Sequence, residues 1–68
     1  MKRPPKAEFE KATSYLENML GDKLLVHIGM RNLWKGMDLN DTYFNILKTA
    51  LGADSNIVKY ADYCRRAV

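Results

Sequence analysis

Lys23, His27, Arg31 and Lys35 recur at every fourth residue, and the single Trp of the chain, Trp34, stands beside the last of them. On a helix this spacing drifts by roughly 40° per step, so the four side chains form a slanted stripe about 120° wide. Cations interleaved with an aromatic ring suit two tasks. They can hold phosphates while the ring stacks a base, or they can meet an acidic protein surface. The stripe also has a plain reading, because an otherwise apolar helix must show water some polar edge. Lys2 and Arg3, in the opening MKRPPK, would extend either binding set, since basic arms reach into nucleic-acid grooves or onto acidic partners. As a bare terminus the same arm would only aid solubility.

A second constellation lies in FNILKTALGADSNIVKYADYCRR, residues 44–66. Gly52 in a turn, with Leu47 and Leu51 before it and Val58 and Ala61 after it, resembles the spacing of the DNA-binding helix-turn-helix motif. That resemblance covers about a third of the chain and implies Ser55, Asn56 and Lys59 as base-facing residues, with Arg65 and Arg66 adding basic surface. Two departures count against it. Lys48 occupies the inward site where the motif uses a small apolar residue, and Asp54 would open the reading helix with the wrong sign for phosphate. Two helices joined by a glycine turn are also common in plain bundles.

Catalysis finds little support. The one His and the one Cys, His27 and Cys64, fall on different expected helices, and Cys64 sits on an apolar stripe where a thiol behaves as a small hydrophobe. They are also too few for a four-ligand zinc site or an internal disulfide. DLNDTYFN at 38–45 opens like a calcium loop, but Tyr43 stands where the glycine is required and Thr49 where the closing Glu belongs. No metal, cofactor or catalytic residue is therefore assigned.

The elements that must position these residues are helical. Phe9, Ala12, Leu16, Met19 and Leu20 repeat with helical period, and Gly21 follows as a C-cap. Asp22 can cap a second helix whose Val26, Met30, Leu33, Trp34 and Met37 share one face, with Gly36 as its stop. KLLVHI also has strand propensity, but it would find no partner strand in this chain. Leu24, Leu25 and Ile28 lie outside the buried face, so this helix reads as central, with others packed around it. Gly29 inside it costs about 1 kcal/mol of helix propensity, which suggests a kink or a close crossing. A third helix runs from about Thr42 to Leu51, capped by Asn40 or Asp41. A fourth starts at Asp54 or Ser55, with Ile57, Ala61, Cys64 and Val68 as its buried stripe and Tyr60 on the flank.

The chain has 68 residues and 47% hydrophobic composition, enough for one small core. Its net charge of +3 is carried by Lys2, Arg3 and Lys6; from residue 7 onward Lys/Arg and Asp/Glu balance. No apolar run approaches the ~20 residues that span a membrane, and no secretory signal is visible, so a cytoplasmic setting is expected. Four Met and four Tyr exceed what so small a core can hide, and both types favour interfaces. The sequence thus predicts an all-α, compact four-helix small domain over residues 6–68 and a flexible basic N-terminal arm over 1–5. Its expected function is that of a non-enzymatic regulatory or inhibitory module that binds another protein with an acidic surface. A homodimer stays open, and a DNA-binding regulator is the alternative.

Overall fold

Each helix begins and ends where its local chemistry allows. The computed structural model describes residues 1–66 and contains α1 (Lys6–Leu20), α2 (Lys23–Trp34), α3 (Asp41–Leu51) and α4 (Asn56–Arg66). Pro5 precedes α1 in extended geometry, and its carbonyl accepts the Glu8 N–H at 3.0 Å. Gly21 closes α1 with φ 72°, a left-handed turn that costs a residue without Cβ nothing, and its N–H returns to the Glu17 carbonyl. Asp22 and Asn40 accept the backbone N–H groups of Leu25 and Tyr43 at 3.0 and 2.8 Å, satisfying two donors that a helix start leaves bare. Ser55 does the same for Ile57 at 3.3 Å, so α4 starts one residue after its cap. Among the described residues there is no strand, and the fold is all-α.

The core joins all four helices. Leu16, Val26, Leu33 and Leu47 are its largest fully buried side chains, one from each of α1 and α3 and two from α2. Ile57, Val58, Tyr60, Ala61 and Cys64 of α4 complete it, together with Leu39 from the loop before α3. Tyr60, expected on the flank of its helix, is buried. Phe9 meets Trp34 edge-on at 5.0 Å and Tyr60 at 6.3 Å, a preferred geometry for aromatic rings. Val68, the last member of the expected α4 stripe, lies outside the described residues.

Helix α2 departs from expectation on two counts. Met37 is exposed because the helix stops at Trp34, so the face that would have buried it does not extend that far. Leu24, Leu25 and Ile28 were expected against other helices, yet they are 72%, 40% and 52% exposed. Three partner helices of 11–15 residues cannot encircle α2. Helix α1 covers one side and Tyr43 of α3 another, and the remaining side faces solvent. At the Tyr43 crossing the ring lies directly on Gly29, where a Cβ would come within 2.3 Å of the ring carbon Cζ. The glycine thus makes room for a side chain reaching over from α3, in place of the expected close approach of two helix axes.

Candidate functional site

Two of the four stripe residues, His27 and Arg31, meet α1 across a shallow groove of about 600 Å³, lined also by Lys6, Glu10, Glu17 and Trp34. Its charges are mixed. His27 Nε2 sits 2.7 Å from Glu17 Oε1, and Glu10 shares the wall with Lys6 and Arg31. Phosphate binding needs cations free to replace released counterions, and here carboxylates of α1 line the same groove as Lys6, His27 and Arg31. Lys23, Arg31 and Lys35 are exposed, with Lys23 and Lys35 at opposite ends of α2 and outside the groove.

Trp34 is also occupied. The Arg3 guanidinium lies 4.5 Å from its ring centroid, a cation–π contact, while Phe9 packs edge-on at 5.0 Å. Two residues assigned independently to binding are thus paired with each other. Pro4, the next residue in the chain, is buried, and Lys2 stays exposed. Burial pushes the Tyr60 phenol above its ordinary value, the neighbouring Cys64 thiol acts in the same direction, and nearby Arg3 opposes it. Burial likewise pushes Tyr43 up to about 12.

The residues suggested for reading DNA divide into two groups. Ser55 caps α4, and Arg65 ties the end of α4 to the start of α3 through Asp41 at 2.6 Å and the Leu39 carbonyl at 3.4 Å, with its guanidinium over Phe44. Both have structural partners already. Asn56, Lys59 and Arg66 are exposed, and Arg66 pairs with Asp62 at 3.1 Å, a surface contact worth little. Lys48 points to solvent instead of inward, and it lines one small groove with Lys59, Arg66 and Asp62.

His27 and Cys64 are not brought together: His27 is exposed on α2 and held by Glu17, and Cys64 is buried on α4. Among the described residues no three His, Cys, Asp or Glu side chains gather to hold a metal, and no helix is long and apolar enough to cross a membrane.

The comparisons with known proteins return nothing. No family model matches the chain, and no curated protein or solved structure matches it. Function has to be argued from the surface itself, and its most unusual feature is apolar. On α2, Leu24, Leu25 and Ile28 form an exposed ridge. Between α1 and α3 runs a groove of about 510 Å³, lined by Tyr15, Met19, Leu20, Ile46 and Ala50 together with the uncharged Asn45 and Thr49. The sequence announced surplus Tyr and Met but placed the leucines of the ridge in the interior. The signal that could have found them is the width of the apolar arc on α2, which exceeds what three short neighbours can cover.

Proposed function

We propose that the chain is a small non-enzymatic regulatory or inhibitory module that acts by docking on another protein. The observation that carries this reading is the ridge of Leu24, Leu25 and Ile28. Leu24, Leu25 and Ile28 are neighbours on one helix face and all exposed, and burying such side chains against a partner removes apolar surface from water. In this reading the ridge supplies the buried centre of the interface and blocks whatever surface it covers. The exposed cations Lys23, Arg31 and Lys35 lie along the same helix, with Lys2 on the arm. They steer an acidic partner toward the ridge and set the association rate more than the final affinity. The test is affinity capture from nuclease-treated lysate with the wild-type chain and with Leu24→Glu/Ile28→Glu. A polypeptide held by the first and lost by the second supports the reading; capture that ignores the substitutions refutes it.

A nucleic-acid reading has one specific observation in its favour: Lys48, Lys59 and Arg66 border a single groove at the α3–α4 corner. Anisotropy of labelled duplex DNA and RNA at two salt concentrations tests it. Phosphate contacts weaken binding steeply with salt, by roughly one unit of log–log slope per contact. Absence of binding at low salt removes this second reading.

A further inference from the structure

Two guanidinium groups lie over aromatic rings at the same distance, and only one of them is anchored. Arg65 sits 4.5 Å from the Phe44 ring centroid and is fixed there by Asp41 at 2.6 Å and the Leu39 carbonyl at 3.4 Å. Arg3 sits 4.5 Å from the Trp34 centroid, yet among the described residues it forms no salt bridge. Its charged surroundings do not hold it either. The groove that Trp34 lines sets Lys6 and Arg31 against Glu10 and Glu17, and Glu17 is already taken by His27. An exposed cation–π contact alone favours the closed arm by only about two- to fivefold. The backbone behind Arg3 is stiffer. Arg3 and Pro4 each precede a proline, which confines both to extended backbone, and Pro5 enters α1 at φ −60°. Pro4 is buried while Lys2 and Arg3 are exposed, so the seated part of the arm ends at Pro4 and the cations stand beyond it.

We infer that Arg3 is a latch on Trp34, opened by an acidic segment of the docking partner. The inference deepens the docking reading and rests on it. Lys2 and Arg3 carry two of the chain's three excess positive charges, and carboxylates that pair with them compete directly with the ring for Arg3. Drawing Arg3 away bares the ring face that it covers, while Phe9 still packs edge-on to the indole at 5.0 Å and holds its orientation. A tryptophan fixed in place with one face open is a favoured anchor at protein interfaces. Trigger and anchor are thereby coupled: acid takes the arm, and the departing arm presents the ring. Arg65, held by a carboxylate of its own chain, takes no part in this and stays a strut between α3 and α4.

Trp34 is the single tryptophan, so fluorescence quenching by acrylamide, which is uncharged, reads the exposure of that one ring. The probe is hexaglutamate, titrated into the full chain at about 10 mM salt and again at about 300 mM, where exposed charge pairs are screened. At low salt the wild-type quenching constant should rise to the level of Arg3→Ala, and at high salt by much less. Arg3→Ala should start at that level and stay there, and hexalysine should move neither protein. Arg3 is exposed, so the substitution leaves helix content unchanged. Quenching that hexaglutamate leaves unchanged in the wild type, or raises equally in Arg3→Ala, overturns the latch. A failed latch alongside capture that still depends on Leu24 and Ile28 leaves the docking reading in place. Capture indifferent to Leu24→Glu/Ile28→Glu removes the docking reading, whatever Trp34 does.

Discussion

Gly29→Ala sets two effects of opposite sign against each other, and the geometry says which wins. Replacing a helical glycine by alanine gains about 1 kcal/mol of helix propensity. At Gly29, however, the added methyl would lie 2.3 Å from Cζ, 2.6 Å from Cε1 and 2.7 Å from Cε2 of Tyr43. Carbon atoms in good contact sit about 3.5–4 Å apart, so the ring must retreat by more than 1 Å. It has little room to do so. Tyr43 is 4% exposed, its hydroxyl donates to the Val26 carbonyl at 3.5 Å, and the core lies behind it. Overpacking of this kind costs about 1–3 kcal/mol, so the net effect should be a loss of up to about 2 kcal/mol. In a domain of this size each kcal/mol moves the melting temperature by about 4–8 °C. Urea unfolding followed by helix circular dichroism gives the number. The control is a double-mutant cycle with Tyr43→Leu, which removes the ring. In that background Gly29→Ala should become stabilising by up to about 1 kcal/mol, reversing its sign. If Gly29→Ala stabilises the otherwise unaltered chain, the Tyr43 ring does not lie on Gly29 in solution.

Other consequences are simpler. Tyr43 is pushed from 10.0 up to about 12 by burial, so its contribution to stability is intact below about pH 10 and disappears as pH rises through about 12. Alkaline unfolding of Tyr43→Phe should show a flatter pH dependence across that window, and an unchanged slope would contradict the burial of the phenol. Asn40→Ala removes the cap of α3 and should cost about 1 kcal/mol in chemical denaturation, whereas Asn40→Asp should cost much less. Arg3→Ala uncovers the face of Trp34, so the single tryptophan should change its emission and become easier to quench by iodide while helix content stays constant. Emission and quenching indistinguishable from the unaltered chain would mean that the arm does not rest on the ring in solution.

The helices were legible because local chemistry determines them. The Phe9 to Leu20 periodicity, the Asp22 and Asn40 caps and the Gly21 and Gly52 stops each act within a few residues of themselves. What escaped depends on residues far apart in the chain. Arg65 bonds Asp41 across 24 positions, and nothing in either neighbourhood announces it. Arg3 and Trp34 carry clear chemical types, but their pairing follows from how the arm passes α2. Leu39 is buried without belonging to any helix, held inside by the loop's path instead of by a period. The ridge is the instructive miss. Periodicity reports which side of α2 is apolar, but whether that side is covered depends on how many neighbours the chain can supply. A helix apolar on more than one side reads equally well as the centre of a domain or as an interface whose partner is another molecule.

In the proposed reading, recognition runs through the apolar ridge and not through the basic stripe. The measurement that bears on this compares what is captured by Leu24→Glu/Ile28→Glu with what is captured by Arg31→Glu/Lys35→Glu, the first pair lying on α2 and the second at its C-terminal end. The ridge variant should lose the partner held by the unaltered chain. The stripe variant should keep it, with slower association and a weaker dependence on salt. Loss with the stripe variant and retention with the ridge variant would contradict the claim and move the function to the cations.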